Sequence, residues 1–382
     1  MGFKSSSISR YCERLLKRQW TKGPLVPILT GMRKRFLVGA GIVLTVQLAF
    51  EIFARFALPE VPSCAEVSRN AYRFRAWPEY IAGLDGTENT ATVVLLTNSQ
   101  GYAGEFDHRR IYPAQLEELM CASRLGGHRH WEVLNWACDG MTSIELTLLA
   151  AYLETRSPDI VLAMTGYADY AAEHSGEKLL YCRSDVPRLA TRPALLKRLP
   201  ASYLRRHVGV EDFLTFLLRD RFALLRYREF VWSWLDPRFP GIHTAFYAPS
   251  INYRPWELRG RRILNPLRKS KLTPGDPVLT YREGSRQMLD DYLSLLARIR
   301  SRVIVIAQPI AVPPGDPRMA WQEAFMRDLR DLTSQKGLKL WDLSGALPSR
   351  DFMTSSHFLP ANHERFAAML HTRLSREFGD AL

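Results

Sequence analysis

Two residues of this 382-residue chain have the types that acyl-transfer chemistry needs, and each occurs at a predicted loop. Ser99 follows the apolar run 91–96, and His357 precedes the last predicted helix, 361–378. A serine on the turn after a buried strand can be an exposed nucleophile, and a neutral imidazole within hydrogen-bonding distance can take its proton. The sequence therefore predicts a Ser–His pair, provided that the fold brings the two loops together.

The segments around these residues alternate between strand and helix patterns. Short apolar runs predict strands at 91–96, 131–134, 160–164, 302–307 and 338–343. Longer periodic stretches predict helices at 113–123, 142–156, 283–300, 319–335 and 361–378. This alternation is typical of a parallel sheet, whose ligands bind outside the carboxyl ends of the strands. Ser99, Gly140 and Asp169 all follow predicted strands, so we expect them near one edge.

The rhythm is interrupted at 171–284, which is rich in Arg, Pro and aromatic residues, and we interpret this stretch as an insertion that covers or flanks the site. Within it, 213–235 predicts helices that form a lid or a packing surface, because Arg stems can cover apolar area. The alternative, a more specific function for these helices, is contact with an anionic glycan or with lipid head groups. Residues 59–90 read as a connector.

The net charge of +13 is concentrated at the N-terminus. Residues 1–35 hold nine Lys or Arg side chains against one Glu, and the rest of the chain is only mildly basic. Nucleic-acid binding is therefore disfavoured, because it would need a basic surface on the folded domain.

Directly after this basic arm, residues 36–58 form an apolar stretch whose first fifteen residues carry no charge. As a helix it would cross a hydrocarbon core of about 30 Å. A cleaved signal peptide is the competing interpretation, but the n-region is long and no small-x-small site follows. We predict an uncleaved, single-pass anchor in the inner (cytoplasmic) membrane of a bacterial-type cell. The positive-inside rule then places the N-terminus in the cytoplasm and the main domain in the periplasm.

Cysteine usage leaves the redox state open. Cys12 would lie on the cytoplasmic side, and the other four would lie outside, where three pairings or four reduced thiols are equally compatible with the sequence: Cys64, Cys121, Cys138 and Cys182. No His/Cys spacing suggests a metal site, and we expect no cofactor.

Four segments resemble the sequence blocks of the SGNH (GDSL-type) hydrolases and acyltransferases. The first block is similar to Thr97-Asn98-Ser99, and the second to residues 135–142, which include Gly140. The third resembles Gly166-Tyr167-Ala168-Asp169, and the fifth resembles residues 354–359, around His357. The matching order covers about 91–170 and 285–378. The resemblance implies a flavodoxin-like three-layer α/β/α fold in residues 91–382, and an oxyanion hole from the N–H groups of Ser99 and Gly140.

Two polar positions of the family pattern are missing. Ala168 stands where the third block has an oxyanion-hole Asn, and loss of one such donor can cost about 100- to 1,000-fold in rate. Thr354 stands where the fifth block has the Asp that orients the histidine, and that loss can cost about four orders of magnitude. Asn98 and Gln100 are candidate substitute donors, while Asp169 is either a loop carboxylate or a site residue.

The sequence thus predicts a serine esterase or O-acyltransferase, with acetyl groups of an envelope or exported polysaccharide as its expected target. Besides the membrane and the polysaccharide, an acyl-donor protein is a candidate partner. The alternative is a catalytically degenerate homologue that binds glycan or scaffolds an envelope assembly. Ala168 and Thr354 motivate that alternative.

Overall fold

The structure, a computed structural model, describes residues 25–57, 90–102, 110–128, 130–137, 140–156, 158–179, 186–211, 214, 279–312, 315–353 and 356–378. The chain divides into two units, Met1–Leu58 and Pro59–Leu382. The first unit contains helix α1, Leu25–Ala57, which includes nearly all of the predicted span 36–58. Most side chains between 37 and 53 are exposed. Within the described residues, we find no helix that combines the length and the apolar character needed to cross a membrane.

The described residues of the second unit are organised around five parallel strands. They are β1 (Thr90–Leu96), β2 (His130–Trp136), β3 (Ile160–Thr165), β4 (Arg302–Ala307) and β5 (Lys339–Asp342). Their order across the sheet is β2-β1-β3-β4-β5, which is the flavodoxin-like order. The predicted parallel sheet with flanking helices is confirmed.

Helices cover both faces of this sheet. In chain order they are α2 (Ser99–Tyr102), α3 (Tyr112–Ser123), α4 (Ser143–Leu153), α5 (Pro193–Leu196), α6 (Ala201–His207), α7 (Glu283–Leu296), α8 (Arg318–Gln335) and α9 (Pro360–Phe378). Helices α3 and α9 pack together on one face, and α4, α7 and α8 cover the other.

The side chains of strand β1 show why both faces of the sheet must be covered by helices. Val93 and Leu95 belong to the apolar cluster under α3 and α9, whereas Val94 and Leu96 belong to the cluster under α4, α7 and α8. All four side chains are fully buried. A continuous apolar run with alternate residues on opposite faces is expected of a central parallel strand.

The strand register aligns the ends of four strands at one edge. Leu96 pairs with Trp136 on one side and with Ala163 on the other, and Ala163 pairs with Val305. The loops that follow these strands therefore start at nearly the same level. This arrangement places the turn after β1 beside the turns after β2 and β3.

The insertion begins and ends at one point beyond β3. Ala172 N–H donates to the carbonyl of Thr280 at 2.8 Å, and the carboxylate of Glu173 accepts from Thr280 N at 3.0 Å. The described part of the insertion packs towards α4, since Tyr203 Oη donates to the carbonyl of Ile144 at 2.8 Å. Apart from Leu214, the predicted lid stretch 213–235 lies outside the described residues.

The main differences from the predicted elements are at their ends. β2 was predicted to end at Leu134, but it continues to Trp136 because β1 offers pairing partners as far as Leu96. Helix α7 ends at Leu296 rather than at Arg300, and turns lead into β4. Thr142 is the N-cap of α4. Thr142 Oγ1 accepts from Ile144 N at 3.3 Å, and the Glu145 carboxylate accepts from Thr142 N at 2.9 Å.

We expect Thr142→Ala to lower the free energy of unfolding by about 1–2 kcal/mol, because α4 loses its capping acceptor. Glu145, which is 1% exposed, also loses the hydrogen bond that Thr142 Oγ1 donates. Thr142→Ser keeps both interactions, and Thr372→Ala removes an exposed hydroxyl from the middle of α9. Urea unfolding of the three variants tests this, and equal stability of Thr142→Ala and Thr142→Ser would contradict it.

Candidate active site

Ser99 occupies the tip of the turn that follows β1. It is the first residue of the single-turn helix α2 and is half-buried. Asn98 shapes the turn, because its Oδ1 accepts from Gln100 N at 3.0 Å and its carbonyl accepts from Gly101 N at 3.1 Å. The serine hydroxyl is thereby held at the carboxyl edge of the sheet, next to the ends of β2 and β3.

The turn packs closely on the core at Gly101. A Cβ atom at this position would lie 2.1 Å from Thr97 Cγ2 and 2.8 Å from Tyr112 Oη. The carbonyl of Gly101 also accepts from Asn135 Nδ2 at 2.9 Å. Glycine is therefore required here by the close approach of α2 to β1 and α3.

Gly101→Ala should destabilise the fold by about 1–3 kcal/mol, the usual cost of overpacking. Gly345→Ala is the matched control, because a Cβ there would meet nothing within 4 Å. Adding Thr97→Ser, which removes the closest clashing methyl, should restore part of the loss. The midpoints of thermal unfolding test this, and equal midpoints for Gly101→Ala and Gly345→Ala would refute it.

A buried hydrogen bond joins the β1 turn to the β3 turn. Asn98 Nδ2 donates to Asp169 Oδ1 at 2.7 Å, and Gly166 N donates to Asp169 Oδ2 at 2.8 Å. Burial raises the pKa of the Asp169 carboxyl from 3.8 to about 6, because an apolar environment disfavours the charged form. Asp169 is therefore a loop carboxylate that positions Asn98, and the oxygen of Asn98 in turn holds the serine turn.

The raised pKa of Asp169 fixes the sign of a pH effect on stability. The native state holds the proton more tightly than the unfolded state does, so the free energy of unfolding falls as the pH rises from about 4 to about 7. Relative to Asp169→Asn, which does not titrate, wild type should lose about 3 kcal/mol over this range. Urea unfolding at several pH values measures the difference, and parallel curves for the two proteins would contradict the assignment.

Gly140 lies in the turn that follows β2, with φ of 69°, a left-handed conformation that favours glycine. It stands two residues before the cap of α4, while its neighbours Cys138 and Asp139 lie outside the described residues. Within the described part of the chain, neither the N–H of Ser99 nor that of Gly140 donates to another residue. Both donors thus have the capacity that the predicted oxyanion hole needs.

Ala168 lies in the 3-10 turn Tyr167–Tyr170 and packs against the core on the α4 side. Its methyl group offers no donor. The two amides that sequence reasoning suggested as replacements both make buried hydrogen bonds to other groups. Asn98 holds Asp169 and Gln100, and Gln100 Nε2 donates to two carbonyls. Both N–H groups of the Gln100 amide are thus used, whereas Asn98 Nδ2 donates once to a described residue, so Asn98 stays a candidate for the substitute donor.

His357 lies in a short hairpin between β5 and α9. Phe352 and Phe358 pair as an isolated antiparallel bridge, and Met353 N donates to the carbonyl of His357 at 2.7 Å. Both phenylalanines are buried, and Phe358 packs on Phe366 of α9. The hairpin is thus anchored in the core on the side of α3 and α9, with His357 half-buried.

The other histidine of this region has a structural role. His363 is 1% exposed, and its Nδ1 accepts from Tyr112 N at 3.3 Å. Asp351, the nearest preceding carboxylate in sequence, accepts from Arg365 Nη1 at 3.0 Å. Thr354, which stands at the position of the expected Asp, lies outside the described residues.

The side chain of Gln100 brings the serine turn and the histidine hairpin together. Its Nε2 donates to the carbonyl of Ser356 and to the carbonyl of Pro309, both at 2.8 Å. Ser99 and His357 are each one residue away from the groups that form this contact. The structure therefore places the predicted nucleophile and base on neighbouring loops.

Sequence reasoning missed the contribution of the loop after β4. Gln308 is 3% exposed and packs over Gly166, where a Cβ would lie 2.6 Å from its Nε2. The signal that could have revealed this loop in the sequence is a glutamine directly after an apolar strand. No group of three His, Cys, Asp or Glu side chains among the described residues is arranged to hold a metal ion.

A second Ser–His contact lies at the opposite edge of the sheet. Ser123 Oγ and His371 Nε2 are 2.8 Å apart and exposed. Ser123 ends α3, which runs from the carboxyl edge back towards the start of β2. Ligand sites of open parallel sheets lie at the carboxyl edge, so this pair serves as a natural comparison rather than as a candidate site.

No protein-family model matches this chain, and no curated protein matches it. Among solved structures, 16 chains match. An inhibitor-bound aryl esterase from M. smegmatis has 13% identity and a TM-score of 0.35, with coverage of 75% of this chain and 99% of the esterase. A lipase/acylhydrolase from Enterococcus faecalis has 14% identity and a TM-score of 0.37, with coverage of 76% and 99%.

A carbohydrate acetylesterase, Est24 from Sinorhizobium meliloti, has 10% identity and a TM-score of 0.35, with coverage of 75% of this chain and all of that chain. All three of these proteins are named as ester-cleaving enzymes. Their identities and TM-scores do not assign this chain to a family, so its function must be argued from its own residues.

Proposed function

We propose that this protein is a serine ester hydrolase in which Ser99 is the nucleophile and His357 the general base. The observation that carries the proposal is the contact between Gln100 Nε2 and the Ser356 carbonyl at 2.8 Å, since it holds the serine turn against the histidine hairpin. In the reaction, an imidazole nitrogen of His357 takes the hydroxyl proton while Ser99 Oγ attacks the ester carbonyl.

The negative charge that develops on the carbonyl oxygen needs donors. The N–H groups of Ser99 and Gly140 are the candidates, because neither is used by another described residue. Return of the proton from His357 to the leaving alcohol would give an acyl-Ser99 intermediate. Attack by water on this intermediate gives hydrolysis, and attack by a sugar hydroxyl gives acyl transfer.

The finer substrate class rests on the sequence. The resemblance to the SGNH hydrolases and acyltransferases favours an O-acyl group, with acetyl as the proposed group and an envelope or exported polysaccharide as its carrier. The basic arm and the apolar segment 36–58 favour attachment to the inner membrane with the main domain in the periplasm. The choice of a polysaccharide as the carrier rests on analogy with that family.

One observation favours a second candidate, a non-catalytic protein that binds glycan or scaffolds an assembly. Ala168 offers no third oxyanion donor, and both N–H groups of the Gln100 amide are used by other groups. Such a protein would keep the fold and its loops but would not react with a serine-directed probe.

Labelling of the full chain with a fluorophosphonate probe separates the two candidates. Wild type should be labelled at Ser99, and Ser99→Ala should not be labelled. His357→Ala should slow labelling by about 100- to 10,000-fold, the usual contribution of a general base. Gel fluorescence over time and mass spectrometry of the labelled peptide provide the measurement.

Ser123→Ala is the matched control, because it removes the serine of the exposed Ser–His pair. This variant should label like wild type. Absence of labelling in folded wild type would favour the binding protein, and labelling that survives Ser99→Ala would show that the nucleophile is misassigned.

A further inference from the structure

The side chain of Gln100 spans three loops of the candidate site. It is 1% exposed and belongs to the turn after β1, while its two acceptors lie on the loop after β4 and on the histidine hairpin. An amide has two N–H donors in one plane, so donation to both Pro309 and Ser356 uses its full donor capacity. A side chain held in this way has little rotational freedom.

Gln100 is itself fixed by a series of buried hydrogen bonds. Asp169 accepts from Asn98 Nδ2 at 2.7 Å, and Asn98 Oδ1 accepts from the backbone N–H of Gln100 at 3.0 Å. The amide of Gln100 then reaches the carbonyl of Ser356. The series connects the β3 turn, the serine turn and the histidine hairpin, and it ends one residue before His357.

The candidate base needs such a fixed position. The resemblance places Thr354 where an orienting Asp is expected, so a carboxylate at that spacing is not available to this hairpin. The hairpin closes on itself through Met353 N and the His357 carbonyl, and its aromatic residues anchor it in the core. Neither of these contacts involves the serine turn, whereas the hydrogen bond from Gln100 to the Ser356 carbonyl joins that turn to the hairpin.

We propose that Gln100 is a positioning residue that sets the separation of Ser99 and His357 by holding the Ser356 carbonyl. The catalytic part of this inference rests on the proposed function. Small displacements matter at such a site, because a misplacement of about 1 Å can cost about 100-fold in rate. Since Gln100 is buried and does not face solvent, its loss should affect turnover rather than substrate binding.

Gln100→Glu and Gln100→Met test the proposal. Gln100→Glu keeps the shape but faces two carbonyl oxygens with acceptors, and Gln100→Met keeps the length without a donor. Gln115→Met is the matched control, since Gln115 Nε2 also donates to a backbone carbonyl, that of Arg110, but at an exposed site. Thermal unfolding of each variant establishes that the chain is folded before it is assayed, and the variant that folds carries the test.

Two readouts are needed. The first is hydrolysis of p-nitrophenyl acetate and fluorophosphonate labelling, in which kcat and the labelling rate should fall about 10- to 100-fold while KM stays within about twofold. In the His357→Ala background, the same substitution should have no further effect. The second readout, which does not depend on activity, is hydrogen–deuterium exchange of the peptide that contains Met353, and this exchange should become faster.

The outcomes distinguish this inference from the proposed function. Unchanged exchange in the Gln100 variants would overturn the positioning role whether or not the protein is an esterase. Faster exchange in a chain that is never labelled at Ser99 would refute the esterase and its catalytic use of Gln100. A fall in kcat that persists in the His357→Ala background would show that Gln100 acts on something other than the base, and would overturn the inference.

Discussion

The buried hydrogen bond between Asn98 and Asp169 is the contact on which the candidate site depends. The register of the sheet brings the ends of β1 and β3 to nearly the same level, and this bond then joins the two turns that follow them. The oxygen of Asn98 is left to hold the backbone of Gln100, which orients both Ser99 and the Gln100 amide. Forming this bond removes the Asp169 carboxylate from water, which disfavours its charged form and raises its pKa.

Among the described residues, the observed contact of Ser123 with His371 and the proposed pair of Ser99 with His357 show why geometry outweighs residue type. Ser123 and His371 are hydrogen-bonded in the structure, but they lie on exposed helical surface away from the carboxyl edge. Ser99 and His357 lie on loops that meet through Gln100, and the N–H groups of Ser99 and Gly140 donate to no other described residue. Nucleophilic catalysis needs an acceptor for the proton and donors for the oxyanion in one place, and only the second pair has candidates for both.

The sequence predicted the central strands well because their burial leaves a simple pattern. The run that became β4 has the predicted bounds. The end of β2 was missed because Asn135 looks like a loop residue, although it is buried and donates to Gly101. Local propensity could not reveal a pairing that β1 imposes.

The support of the site could not be predicted in the same way. Gln100 appeared in the sequence only as a spare amide next to Ser99, because its two acceptors are 209 and 256 residues away. Those acceptors are backbone carbonyls, which carry no signal in the residue type. Sequence motifs therefore pointed to the proposed nucleophile and base, whereas the contact that joins their loops is visible only in the folded chain.

The most direct measurement of the central claim is the thiol pKa of a Ser99→Cys variant, obtained from the pH dependence of alkylation at that peptide. If His357 lies within hydrogen-bonding distance of residue 99, an imidazolium should stabilise the thiolate. The pKa should then lie well below the usual value of about 8.5 and return towards it in the Ser99→Cys/His357→Ala double variant. The same pKa in both variants would contradict the pairing of Ser99 with His357.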